Sequence, residues 1–337
     1  MIKALVVDDS AYNRVSISRM LESDSRIKVV ATAINGEDAI KQVMRHEPDV
    51  ITLDLEMPVM DGFSFLRWLM QNRPTAVIAV SSRSNDRSVF KALELGAIDF
   101  IAKPGGNVSP RLEEIQTDLV SKVLQIGDLR IENIKKRVEA GFSPPAPAEA
   151  GAYTLIQLVA IGCSTGGPPA LQHLFESLPL LPLPIVVAQS KYAVKEAVHG
   201  EPLGVGVVYV APGGMVTEVQ RSADGLRARI VAPGPNDLYA PSVDRLFGSA
   251  SDTCGERMIA VIMTGMGDDG AEAIRKVRQR GGKTIAESPD TAIIFGMPNQ
   301  AIKTGAVDQV LPLNEIAGAI ERLCYPRVSR DERRIES

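Results

Sequence analysis

Three groups of residues in this chain are of types that do chemistry. Gly162-Cys163-Ser164-Thr165-Gly166 is a G-x-S-x-G sequence, and the apolar run 157–161 ahead of it reads as a strand that delivers Ser164 to the tip of a sharp turn. Glycines on either side let such a turn form and let a substrate carbonyl come close. The helix predicted after it, over Pro169–Leu178, aims unpaired backbone N–H groups at a developing oxyanion. A second glycine-rich loop, Thr264-Gly-Met-Gly-Asp-Asp-Gly270, carries Asp268 and Asp269. Either carboxylate could reach the serine turn as a catalytic acid or cap the next helix, and spacing alone leaves both open. The third group is acidic: Asp8 and Asp9 follow a first apolar run and Asp54 a third, with Ser81 and Lys103 after a fourth and a fifth. Three carboxylates facing one another repel unless a cation sits between them, and a hard, oxygen-liganded ion such as Mg²⁺ suits them.

These residues need elements that bring them together. Short apolar runs at Ile2–Val7, Ile27–Ala33, Val50–Leu53, Ala76–Val80 and Ile98–Ile101 alternate with helical patterns at Asn13–Ser23, Gly36–Arg45, Phe63–Gln71 and Asp86–Leu95. That alternation predicts a doubly wound parallel sheet, in which ligands gather beyond the carboxyl ends of the strands. The stretch Pro110–Val138 spaces Leu112, Ile115, Leu119, Val123 and Ile126 as one face of a helix, which we read as a face for domain packing. Residues 142–151, rich in Pro and Ala, then read as a tether. Past the serine turn, strands are expected at Pro184–Gln189, Gly204–Val210, Met258–Met263 and Lys283–Ala286. Helices are expected at Pro241–Ala250 and Ala271–Arg280, and a β-hairpin over Met215–Val231 about Asp224-Gly225. The expectation is two α/β domains, both doubly wound, with boundaries at 1–104, 105–152 (linker), 153–325 and 326–337 (tail).

Composition narrows the class. At 337 residues the chain is long for one core. A net charge of −4 and 4% aromatic residues give no reason to expect nucleic acid as a partner. No apolar stretch is long enough to span a bilayer, and the best, Leu178–Ala188, holds three prolines, so no membrane insertion is expected. The N-terminus runs directly into a strand pattern without the layout of a signal peptide, and the three cysteines, Cys163, Cys254 and Cys324, are odd in number and far apart. They read as reduced thiols, and the expected location is cytoplasmic.

The first domain, with Asp8-Asp9, Asp54 ahead of Met57-Pro-Val-Met-Asp-Gly62, Ser81 and Lys103-Pro104, resembles the receiver domain of two-component response regulators. The resemblance implies that Asp54 accepts a phosphoryl group from a histidine kinase. It also implies that Asp8, Asp9 and Asp54 hold Mg²⁺, Asp8 through water, and that Ser81 and Lys103 contact the phosphoryl oxygens. Phe100 stands at the family's aromatic switch position.

The second domain carries Ile161-Gly-Cys-Ser-Thr-Gly-Gly-Pro168, Gly200-Glu-Pro-Leu203, Val208-Tyr-Val-Ala-Pro-Gly-Gly214, Pro241-Ser-Val-Asp244, Thr264-Gly-Met-Gly-Asp-Asp-Gly-Ala271 and Phe295-Gly-Met-Pro298. On these motifs it resembles the chemotaxis response-regulator methylesterases, protein-glutamate methylesterases that also deamidate glutamine. The resemblance implies a carboxylic ester hydrolase, without a cofactor in the hydrolase domain, acting on methyl-accepting chemoreceptors. Ser164 would be the nucleophile, Asp269 the orienting carboxylate, and the N–H groups of Thr165 and Met266 the oxyanion hole. In that family a histidine after the glutamine that ends the next strand is the general base. Here that strand ends Val187-Ala-Gln189-Ser190, so Ser190 holds the position, and the following stretch, 191–197, is short by about one helix. A hydroxyl does not accept a proton at neutral pH as imidazole does. Of the three histidines, His46 ends a receiver helix and His173 is expected to point away from the turn. His199 lies near the shortened stretch as a possible substitute. The alternative reading is a catalytically impaired response regulator acting as a binding module or phosphoryl sink.

Overall fold

The structure is a computed structural model and describes residues 1–81, 88, 91–93, 95–103, 115–124, 155–186 and 193–325. These residues form two compact units, each built on its own parallel sheet.

In the first unit the strands are β1 (Ile2–Val7), β2 (Ile27–Ala33), β3 (Val50–Leu53), β4 (Ala76–Ser81) and β5 (Asp99–Ala102), in the order β2-β1-β3-β4-β5. Every pairing is parallel. Helices cover both faces of such a sheet, so its central strands are apolar at nearly every position, as in Ala4–Val7 and Ala76–Val80, all buried. Helices α1 (Ala11–Glu22), α2 (Gly36–His46) and α3 (Gly62–Asn72) start at Ser10, Asn35 and Asp61, whose side chains accept from the backbone N–H three residues on. Of the helix expected over 86–95, only residues 88 and 91–93 are described, and they are helical. A further helix, α4 (Gln116–Leu124), buries Leu119 and Val123 in the same core. The first unit therefore takes in residues beyond 104, where the sequence reading ended it, and the apolar stripe is a packing face over these positions. The rest of that stripe and the tether lie outside the described residues.

The second unit holds seven strands: β6 (Leu158–Gly162), β7 (Ile185–Val186), β8 (Ala193–Glu196), β9 (Val207–Val210), β12 (Met258–Ile262), β13 (Lys283–Glu287) and β14 (Gln309–Leu311). Their order is β14-β13-β12-β6-β7-β9-β8, with parallel pairing throughout. Between β9 and β12 the chain makes the expected hairpin, β10 (Val216–Ser222) and β11 (Gly225–Val231), closed at Ser222↔Gly225. Helices α5 (Gly167–Ser177), α6 (Val243–Cys254), α7 (Ala271–Gln279), α8 (Met297–Lys303) and α9 (Leu313–Cys324) cover the sheet. Strands β8 and β14 and helices α8 and α9 had no counterpart in the periodicity reading. β14 is three residues long and half-exposed, and so offers too short a pattern to read.

Gly62 shows how tightly the first unit is built around its acidic end. A Cβ there would stand 2.3 Å from the carbonyl oxygen of Asp54, and its N–H donates to the carbonyl of Leu55 at 3.1 Å. The start of α3 thereby rests directly on the end of β3. Gly62→Ala is expected to cost about 1–3 kcal/mol through this overpacking, read as a lowered urea midpoint for the first unit's transition.

Candidate functional site

The acidic residues converge. Asp8 and Asp9 follow β1, Asp54 follows β3, and one carboxylate oxygen from each lies within 4.8 Å of the others. Lys103, just past β5, places its ammonium 2.7 Å from Asp8 Oδ2 and 2.5 Å from Asp54 Oδ2, with its side chain 1% exposed. Burial opposes charge on Lys103, but the carboxylates of Asp54 and Asp8 more than offset it and hold the ammonium above its ordinary pKa. Asp54 is 6% exposed, and burial pushes its carboxyl up to about 6 against the downward pull of Lys103. Two residues not singled out in the sequence complete the cluster. Buried Asn13 donates to Asp8 Oδ1 at 3.1 Å and Oδ2 at 3.2 Å, and Arg14 Nη1 holds the carbonyls of Asp8 and Asp9 at 2.8 and 2.9 Å. They fall at the start of α1, and only a question about what neutralises the Asp-Asp loop would have pointed to them. Ser81 ends β4 in register with Ala102, one residue before Lys103, but its side chain lies outside those described. The half-buried Phe100 sits on β5 against the core. Three hard oxygen donors of this kind fit a divalent cation.

The serine turn lies at the matching place in the second unit. Ser164 follows β6, and its N–H donates to the carbonyl of Thr264 after the adjacent strand β12, at 3.0 Å. Thr264 N–H in turn donates at 2.8 Å to Oε2 of Glu287, which is fully buried at the end of β13. A Cβ on Gly162 would come within 2.4 Å of Val243 Cγ1, so this glycine admits the first residue of α6 rather than a strained backbone. Gly166, two residues beyond Ser164, takes φ +78° and turns the chain into α5. Ser164, Met266, Asp269, Tyr239, Ser242 and Thr217 line one cavity of about 310 Å³ whose other walls are mostly apolar. Thr165, next to Ser164, is buried.

Asp269 is 6% exposed and fully engaged. Its Oδ2 accepts from Val243 N at 2.7 Å, and its Oδ1 accepts from Asp244 N at 2.8 Å and from Ser242 Oγ at 3.2 Å. Burial raises its pKa, while the two backbone N–H groups pull the other way. Asp269 thus caps a helix, yet the helix is α6, lying earlier in the chain, and not α7, which follows it. The service is returned: Asp244 Oδ1 accepts from Ala273 N in the first turn of α7, at 2.7 Å. Asp268 accepts from Tyr239 Oη at 3.3 Å, and burial, followed by the nearby carboxylates, raises the Tyr239 phenol.

Among the described residues no histidine lines the cavity. His199 is exposed, with Nδ1 bonded to the carbonyl of Ile230 at 2.7 Å on the hairpin, so the structure does not bring the possible substitute base to Ser164. His173 lies in α5 and His46 at the end of α2. Ser190 and the shortened stretch up to residue 192 lie outside the described residues. No described helix is long and apolar enough to cross a membrane.

Comparison with known proteins agrees with this division. The profile of the response regulator receiver domain matches residues 4–110, and that of the CheB methylesterase matches in two pieces, 159–191 and 188–320, which meet at the stretch read as shortened. A protein-glutamate methylesterase/protein-glutamine glutaminase of Geobacter sulfurreducens is 41% identical over 361 aligned positions, covering 96% of this chain and 97% of the relative. One of Myxococcus xanthus is 42% identical, covering 97% and 98%. The crystal structure of the Thermotoga maritima CheB methylesterase catalytic domain is 34% identical, over 50% of this chain and 98% of that one, with a TM-score of 0.48.

Two outcomes follow from the geometry. Lys103→Met leaves Asp8 and Asp54 buried without their cation, at a cost of about 3–5 kcal/mol. Without Lys103 its downward pull on Asp54 is lost and that carboxyl is raised further, so the loss should grow as pH climbs above about 6, where the parent carboxyl is ionised, and shrink toward pH 5, where Asp54 is protonated with or without Lys103. Urea unfolding at the two pH values reads this. Asp269→Ala removes the cap of α6 and should cost about 1–2 kcal/mol, whereas Asp244→Ala should loosen the first turn of α7, which amide hydrogen exchange at Ala273 would report.

Proposed function

The chain belongs to the CheB methylesterase family, with a response regulator receiver domain ahead of the hydrolase domain, and from that premise we propose that it is a phosphorylation-regulated protein-glutamate methylesterase and protein-glutamine glutaminase acting on methyl-accepting chemoreceptors. The observation that carries this reading is that Ser164 lines a largely apolar cavity together with Asp269. Ser164 Oγ attacks the side-chain carbonyl of a receptor glutamate methyl ester or glutamine, and methanol or ammonia leaves. Water then cleaves the resulting acyl-serine to a free glutamate. The N–H groups of Thr165 and Met266 receive the oxyanion, which in a water-poor site is usually the largest single stabilisation of such a step. Asp269 is bound by three donors and acts by holding the start of α6, with Ser242, against the cavity.

In the receiver domain Asp54 takes the phosphoryl group from a histidine kinase. Lys103 stands between Asp8 and Asp54 to neutralise the charge that spreads over the phosphoryl oxygens, and Ser81 supplies a hydroxyl contact. Mg²⁺ would be held by Asp8, Asp9 and Asp54, and would supply further charge neutralisation there.

The test is methanol release from methylated receptor membranes by the full chain, given a small acyl phosphate and Mg²⁺. Release is expected to fall to background in Ser164→Ala. Asp54→Asn should take up no phosphate and lose the stimulation. Release that persists in Ser164→Ala refutes the nucleophile. No release by a chain phosphorylated on Asp54 would make it a regulated binding module. A His199→Ala arm decides whether that imidazole serves Ser164 as base, with unchanged release excluding it.

A further inference from the structure

The cavity beside Ser164 contains a polar group with no part in the acyl transfer to Ser164. Thr217 lies on β10, is 3% exposed, and lines that cavity, and its hydroxyl has no hydrogen-bond partner among the described residues. A buried hydroxyl left without a partner is destabilising, and valine would fill the same β-branched shape on a strand without that cost. Ser18 and Thr52 also carry buried hydroxyls without a described partner, but neither lines the cavity.

The position of Thr217 is fixed from outside. Its neighbour Glu218 receives Arg245 Nε and Nη2 of α6 at 3.0 and 2.6 Å, Val219 N donates to Ser249 Oγ at 3.0 Å, and Thr253 Oγ1 donates to the Val219 carbonyl at 3.0 Å. The strand is therefore pinned to the helix whose N-terminus Asp269 holds. A hydroxyl kept rigid in an apolar cavity is preorganised for a ligand, because little entropy is lost when the bond forms.

We propose that Thr217 is a positioning residue for the neutral γ-acyl group of the substrate, a deepening that rests on the methylesterase and glutaminase reading. The apolar walls take up the methylenes of the glutamyl side chain, and the Thr217 hydroxyl bonds its head group. A hydroxyl both donates and accepts, so it serves a carboxamide, which offers N–H and C=O, better than a methyl ester, which offers acceptors alone. The free carboxylate of the product fits worst, since the same cavity holds the buried Asp269 carboxylate, and like charges at low dielectric repel.

The test uses the full chain carrying Ser164→Ala, so that binding is read without turnover, in the presence of acyl phosphate and Mg²⁺. Calorimetry measures the affinity of three short peptides that differ only in one residue: glutamine, glutamate γ-methyl ester, or glutamate. Thr217→Val on this background is expected to weaken the glutamine peptide about tenfold and the ester about threefold. Its melting temperature should hold or rise, and Thr217→Ser should bind as the threonine does. Equal affinities with and without the Thr217→Val substitution would overturn the proposal, as would a lowered melting temperature with no recovery in Thr217→Ser, the mark of a structural role. Absence of binding by any peptide with Thr217 in place overturns it too. Methanol release by the unmodified chain then tells whether the underlying function fails with it.

Discussion

Both sites of this protein exist because a doubly wound sheet must reverse its winding somewhere. In the first sheet, β1 continues to β2 on one side while β3 continues to β4 on the other, so the loops after β1 and β3 part and leave a crevice. Asp8, Asp9 and Asp54 occupy it. In the second sheet β6 continues toward β7 and β12 toward β13, and the crevice between β6 and β12 takes Ser164 and the 264–270 loop. The parallel ladder supplies the precision: Ile262 pairs with Gly162 at the edge of the crevice, and two backbone bonds beyond it, Met263 N–H to the Gly162 carbonyl and Ser164 N–H to the Thr264 carbonyl, tie the two loops together. Side chains on these loops are located by strands buried on both faces, the stiffest part of each unit.

The two buried carboxylates at these crevices solve opposite problems. Asp269 receives two backbone N–H groups and a serine hydroxyl, so its lone pairs are largely spent and it serves as a fixed structural anion at the start of α6. Asp54 keeps few such bonds: Glu56 N–H at 3.1 Å and the Lys103 ammonium. Burial raises both carboxyls, and that of Asp54 rises to about 6. Each oxygen of Asp54 thus accepts from one donor, where the carboxylate of Asp269 accepts from three.

Much of this was legible in the sequence, and the limits of legibility have physical causes. Strand positions were readable because parallel strands are unbroken apolar runs, as at Val50–Leu53 and Met258–Ile262. The serine turn was readable from its glycines, though the close approach that Gly162 admits is that of Val243 rather than of a substrate, and the approach of Gly62 to the Asp54 carbonyl was not read. What pairs with what across the sheet was not readable. Asp269 was expected to cap its own following helix or to serve the serine, and it caps α6 from about 26 residues away in sequence, while Asp244 returns the favour to α7. Local spacing cannot show a reciprocal cap between two helices that lie on either side of β12 in the chain and meet only in the fold. Thr217 and Tyr239 escaped for the same reason, since each meets its site through residues distant in the chain, whereas Asn13 and Arg14 bond Asp8 and Asp9 only five or six residues away.

The reciprocal cap also bears on what the cavity can tolerate. Helix α6 carries the floor of the site through Ser242 and Val243 and holds β10 through Arg245, Ser249 and Thr253, so one rigid helix sets the positions of Asp269, Ser242 and Thr217 together. Three more ionic contacts brace it from solvent: Arg245 to Asp237 at 2.7 Å, and Asp252 to Lys276 and Arg280 of the α7 segment at 2.5 and 2.9 Å. Exposed pairs of this sort are individually weak. Their value lies in fixing the rotation of α6 once Asp269 has fixed its start. A strand pinned along a helix that is itself held at its N-terminus by a buried anion can carry an unsatisfied hydroxyl, such as that of Thr217 on β10, without relaxing to satisfy it.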